Sequence, residues 1–283
     1  MAVAEAVASS PAPRRRRLQP SLAAGLVMLA VLVVVAVAAG RIAPYPPLAQ
    51  SFSQALLPPS AQHLLGTDNY GRDVFSRVLA ATRIDLEIGL LGTLFPFLLG
   101  SALGAIAGYA GGLADALIMR VVDVIIAFPF LVLVIAFVAF VGGGTANVVV
   151  ALTIGGWVGF ARLVRGEILV QRQMEYADAT RLLGYSRSRI LFRHLLPNAI
   201  PPALVFAVSS ITLNILTAAA LGFLGLGVSP PTPEWGLMMS EGETFLFQAW
   251  WIATMPGLAC LFAGLTFTLL GDGASDLLRV RGQ

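Results

Sequence analysis

The residues able to do chemistry in this 283-residue chain are few and unevenly placed. Glu175, Asp178, Arg181, Arg187, Arg189, Arg193 and His194 fall close together, while Glu234, Glu241 and Glu243 share a stretch, 228–249, that holds no base. A catalytic nucleophile needs a base within hydrogen-bond reach, and no Ser and His share an apolar stretch of this chain. The single Cys260 leaves neither a disulfide framework nor a cysteine-rich metal site. All eighteen basic residues are Arg and no GxxxxGK[ST] run occurs, so the chain cannot build a lysine-bearing phosphate cradle. The sequence therefore names no catalytic residue and no metal ligand. What remains for the two charged clusters is binding: rim charges on a helix in the first, and docking or cation attraction through Glu234, Glu241 and Glu243 in the second.

The elements that must position these residues are greasy. With 57% hydrophobic and 12% charged residues and a mean hydropathy of +0.83, the composition fits a polytopic membrane protein. The pI near 9.5 does not point to nucleic acid, because the Arg residues sit in short segments between apolar runs, where retention on the cytoplasmic side accounts for them. The start, with Arg14 to Arg17 before an apolar run and an Ala36-Val37-Ala38 triplet, has the outline of a signal peptide. At about 1.5 Å per residue, however, 21–40 crosses the roughly 30 Å hydrocarbon layer, and an uncleaved first span is expected.

Five further runs, 86–108, 116–141, 147–169, 200–227 and 250–271, are each long enough to cross as a helix. Six spans place both termini inside. The expected organisation is a cytoplasmic tail 1–20, a first span 21–40, an extracytoplasmic segment 41–85, a five-helix core 86–272 containing an inner loop 170–199, and a cytoplasmic tail 273–283. Val74, Val78 and Ala81 recur at helical spacing opposite Arg72, Ser76 and Arg83, which suits a short interfacial helix before the second span. Arg72, Arg77 and Arg83 fall outside in this topology, offset by Asp68, Asp73, Asp85 and Glu87. Gly100, Gly104 and Gly108 form one small-residue face, expected to pack within the chain rather than at a dimer seam. Pro96, Pro129 and Pro256 predict kinks.

The inner loop is too charged to enter lipid, since an Arg or Asp at mid-bilayer costs about 2.5–3.5 kcal/mol. It still has helical order. Glu175, Asp178 and Arg181 share one stripe and Tyr176, Ala179 and Leu183 another. Gly184 stands where a left-handed C-cap belongs, Ser186 can cap a second short helix running to Leu195, and Pro197 is expected to end it. A loop with its own capped amphipathic helix has a face to present to a cytoplasmic partner.

These residues resemble the coupling loop of the permease subunits of binding-protein-dependent ABC importers, whose Glu-Ala-Ala, Gly and Leu-Pro positions fall here on Asp178, Ala179 and Thr180, on Gly184, and on Leu196 and Pro197. The stretches "HLLGTDNYGRDVFSRVL", "GYAGGLADALIMRVVDVIIAFP", "LGFLGLGVSPPTPEWGLMMSEG", "AWWIATMPGLA" and "LLGDGASDLL" are similar to the second permease subunit of dipeptide/oligopeptide importers. The resemblance implies a type I importer permease in the plasma (inner) membrane. It implies four partners: a homologous second permease, two ABC ATPase subunits that bind ATP and Mg, and an extracytoplasmic solute-binding protein. No cofactor is then needed in this chain, which is a transport subunit and not an enzyme. The coupling residues would be Glu175, Tyr176, Ala177, Asp178, Ala179, Thr180, Arg181, Leu182, Leu183 and Gly184, with Tyr176, Ala179 and Leu183 as the seated face. Di- or oligopeptides are the expected cargo, with a nickel chelate, glutathione or an oligosaccharide as alternatives.

A secondary transporter would need ionisable groups near mid-membrane. The runs 200–227 and 250–271 contain none, and Asp115, Arg120 and Asp123 toward the inner end of the third span are accounted for by local pairing.

Overall fold

The computed structural model describes residues 20–279, so Arg14 to Arg17 and the last residues lie outside the described part. Ten helices follow in order: α1 (Pro20–Ile42), α2 (Val74–Ala110), α3 (Gly112–Ile126), α4 (Phe130–Val141), α5 (Thr145–Gln171), α6 (Glu175–Leu182), α7 (Arg187–Ile190), α8 (Leu196–Phe223), α9 (Trp235–Glu243) and α10 (Trp251–Arg279). Five helical stretches are long and apolar enough to span a membrane, and six if the bent pair α3 and α4 counts as one span.

The scaffold is α2 laid along α5, the most extensive helix contact in the chain, with α8 and α10 closing the bundle and α1 on its outside against α10 and α2. The Gly100, Gly104 and Gly108 face lies against α5. A Cβ on Gly104 would stand 2.4 Å from the Ala161 carbonyl oxygen and one on Gly100 2.2 Å from that of Trp157. The small residues thus serve packing inside the chain, as expected, because only a missing side chain lets two backbones approach so closely.

Two expectations about elements change. The proposed interfacial helix and the second span are one helix of 37 residues, about 55 Å long at 1.5 Å per residue. Its first turns are covered by protein. Val74, Arg77, Val78, Ala81 and Asp85 are buried under the 43–73 segment and α9. Asp73 caps this helix, accepting from the Ser76 backbone N–H at 2.8 Å. Pro197 does not end α7 either. The chain widens into a π turn at Leu191–Leu195, with the Leu196 N–H reaching the Leu191 carbonyl, and continues directly into α8. A Pro has no N–H and presses on the carbonyl four residues back, and a wider turn accommodates both faults.

Pro129 does what its chemistry demands. It denies the next turn a donor and disfavours a helical Phe128, so α3 and α4 meet at 85°.

Candidate functional site

The segment 172–195, expected on the cytoplasmic side, is fastened to the bundle by one face. Ala177 and Thr180 are buried, and Ala177, Ile190, Leu191 and Leu195 pack with Phe160, Val164 and Ile168 of α5. Tyr176 joins that cluster from its edge, and its hydroxyl meets Gln171 Oε1 at 2.7 Å and the Asn198 amide at 3.4 Å. One tyrosine therefore ties α6 to the end of α5 and to the start of α8. Arg181 adds a second tie, donating to the Arg172 carbonyl at 3.3 Å and to Asp178 Oδ1 at 2.5 Å.

The other face of α6 is free. Glu175, Asp178, Ala179 and Arg181 are exposed, and Leu182 and Leu183 stand 90% and 69% exposed. Two bare leucines next to an exposed acid–base pair, on a helix already seated in its own protein, form an apolar knob with a charged rim. The sequence placed Tyr176 on this outward face; the structure turns it inward and puts Leu182 there. The direction of "inward" is set by the end of α5, which lies outside the helix's own periodicity.

The end of α6 is a full Schellman motif. Gly184 has φ +73°, its N–H reaches the Arg181 carbonyl, and the Tyr185 N–H reaches that of Thr180. Only open space surrounds the position of a Gly184 Cβ. The glycine is required by backbone conformation alone. Ser186 then caps α7 through the Arg189 N–H.

The outer acids take different places from those expected. Glu234 is 1% exposed and caps α9, accepting from the N–H groups of Gly236 and Leu237 at 2.7 Å each. Burial pushes its carboxyl above the ordinary range, against the pull of those two donors. It is a structural cap beneath the surface and offers no docking charge. Glu241 is drawn to Arg72 and Arg77, which also share Asp68. This network pairs both buried Arg residues with carboxylates. Glu243 alone of the three is exposed, and it has no bonded partner among the described residues. Trp235 and Trp251 are buried and donate to the carbonyls of Val78 and Thr67, so of the three outer Trp residues only Trp250 faces outward as an interface anchor would.

The histidines lie at opposite ends of the bundle. His63 Nδ1 is 2.9 Å from Asp73 Oδ1 beside the start of α2, and His194 stacks on Tyr185 in the π turn. Asp115 forms a bidentate pair with Arg165, and Asp123 pairs with Arg162. Both partners come from α5 and neither is Arg120. These pairs clamp α3 to α5 and leave neither acid of α3 unpaired.

Comparison with known proteins follows the same lines. Residues 100–281 match the family described as binding-protein-dependent transport system inner membrane component, and 14–59 match the N-terminal transmembrane domain of oligopeptide transport permease C. The chain is 48% identical over 220 residues to the glutathione transport system permease protein of Pectobacterium atrosepticum, covering 78% of this chain and 73% of that one. It is 41% identical over 260 residues to the di/tripeptide transport system permease protein of Pseudomonas aeruginosa, covering 90% and 86%. It is 38% identical over 266 residues to the dipeptide transport system permease protein of Bacillus subtilis, covering 94% and 83%. Among solved structures, a chain of the MetNI methionine ABC transporter in inward-facing conformations superposes with a TM-score of 0.56 at 20% identity, over 69% of this chain and 93% of that one. An amino acid ABC transporter gives 0.54 at 14% identity, over 70% and 92%. The fold is that of type I ABC importer permeases, and the chain belongs to the family of inner membrane components of binding-protein-dependent transport systems.

Proposed function

We propose that this chain is one of two homologous permease subunits of an ATP-driven importer of di- or oligopeptides, and that α6 is the lever through which two ATPase subunits move it. The observation that carries the reading is the outward knob of Leu182 and Leu183 on a helix whose other face is fixed to both α5 and α8. A helix anchored this way transmits a push as a rigid body. When the ATPases close, α6 moves with them and the two spans it joins tilt, opening the path to one side and then the other. The chain brings no phosphate cradle of its own, so ATP and Mg belong to the partners. An extracytoplasmic binding protein delivers the cargo to the opposite face, where exposed Glu243 is the remaining charged contact of the three outer acids.

Peptide cargo is supported by relatives named for dipeptides and di/tripeptides over most of both chains. Glutathione is a second reading, supported by the 48% identical relative named for it. Reconstitution of this chain with its partner subunits and binding protein in vesicles tests the whole. Labelled dipeptide should accumulate with ATP and Mg, and not with an imposed proton or sodium gradient alone. Gradient-driven uptake without ATP would overturn the reading, and uptake of glutathione in place of dipeptide would decide between the cargoes.

A further inference from the structure

A groove of about 560 Å³ opens beside α6 on the cytoplasmic side, and its lining is of two chemistries. Arg172, Arg181 and Arg187 line it together with Ile106, Tyr109 and Phe192. No acidic residue lines it. Arg172 is oriented by donation to the Gly108 carbonyl at 2.9 Å, at the last turn of α2. Arg181 spends two nitrogens on Asp178 and the Arg172 carbonyl. Arg187 has no hydrogen-bond partner and no ion pair within the described residues. Three guanidinium groups thus line one groove, and of the three only Arg181 has a carboxylate bonded to it among the described residues, that of Asp178.

The apolar lining argues for the kind of anion. Ile106 is a solvent-exposed residue of a membrane-spanning helix, and Phe192 is exposed in the π turn below it. A dissolved anion has no use for this apolar strip. A phospholipid of the inner leaflet does, because its acyl chain follows α2 while its phosphate sits at the level where the span ends. Guanidinium forks match phosphate oxygens in planar, two-pronged geometry, and basic clefts between helices on the cytoplasmic side suit anionic headgroups.

We propose that this groove is a binding site for the phosphodiester headgroup of an anionic phospholipid, held by Arg172, Arg181 and Arg187. The site touches the end of α2, the end of α5, α6 and α7 together. A bound headgroup would brace the lever against its two spans, which makes lipid composition a regulator of the movement whatever the cargo.

The test is native mass spectrometry of the purified full chain with added dioleoylphosphatidylglycerol or dioleoylphosphatidylcholine. The phosphatidylglycerol adduct should survive higher collision energy than the phosphatidylcholine adduct. Arg187→Gln should weaken phosphatidylglycerol binding about tenfold, the usual scale for one charge-assisted hydrogen bond. Arg187→Lys should weaken it less, since the charge is kept, and Arg120→Gln, an exposed Arg outside the groove, should leave it unchanged. Millimolar inorganic phosphate should not displace the lipid. Equal retention of the two lipids, indifference to Arg187→Gln, or displacement by inorganic phosphate would each overturn the assignment, the last in favour of a free anion.

Discussion

Gly184 carries the sharpest residue-scale prediction. Its φ of +73° costs an ordinary L-residue about 1–2 kcal/mol, and a β-branched side chain suffers most. Because nothing surrounds its Cβ position, substitution strains the corner without disturbing any packing. Gly184→Val should leave the permease in the membrane and ATP hydrolysis running while uptake falls about tenfold, as expected when a strain on that scale shifts the seated geometry of α6. Gly184→Asn, which tolerates the left-handed region, should retain most uptake. Full uptake in the Val variant, read beside hydrolysis in the same vesicles, would contradict the role of the corner. Glu234 gives a second prediction. Its folded carboxyl titrates above the unfolded one because of burial, so the native state binds the proton more tightly. Its contribution is therefore most favourable below the ordinary carboxylate range and is lost as pH rises from there through the raised value. Thermal unfolding in detergent should show Glu234→Gln, which keeps an acceptor for the α9 cap, with a flatter decline over that window than the wild type. Glu234 faces the buried carboxyl of Asp85, so an unchanged slope would assign the titration to the other carboxyl of the pair.

Among elements, the α2–α5 seam holds the end of α5 against which α6 packs. Gly104→Ala gains helix propensity of about 1 kcal/mol, but its Cβ meets a backbone oxygen, and overpacking a tight seam costs about 1–3 kcal/mol. The clash should win, and the melting temperature should fall. Gly40→Ala, near the end of α1 with nothing within reach of its Cβ, should raise or leave it. A stable Gly104→Ala would mean that the seam is looser than the distances imply. The features legible in the sequence were those decided by local backbone chemistry. Gly184, the Ser186 cap and the Pro129 break each follow from what one residue can or cannot do. The continuity of α2 was hidden because Arg72, Arg77 and Asp85 look like surface residues until Glu241 and the Trp235 N–H fold onto them from a distant segment, beside the nearby Asp68. Tyr176 and Pro197 were hidden for a related reason. The inner face of α6 is chosen by α5, and a π turn absorbs a proline that would otherwise stop a helix.

At the scale of the whole molecule, polar structure is gathered at the two ends of an apolar bundle, and the ends are built differently. The end at the start of α2 is densely bonded, with the buried network of Asp68, Arg72, Arg77 and Glu241, the Glu234 cap and two buried Trp residues. The inner end is a small helix with one bound face and one bare face. Under the proposed function, that asymmetry supplies a fixed frame at one end and a handle for another chain at the other. Membrane-impermeant thiol labelling of Leu182→Cys reads the handle directly, because the one native cysteine, Cys260, is buried. Labelling should occur in inside-out vesicles lacking the ATPase subunits, should be suppressed when those subunits are bound, and should be absent from right-side-out vesicles. Labelling from outside, or labelling unchanged by the ATPases, would contradict the claim that α6 is the point where they take hold.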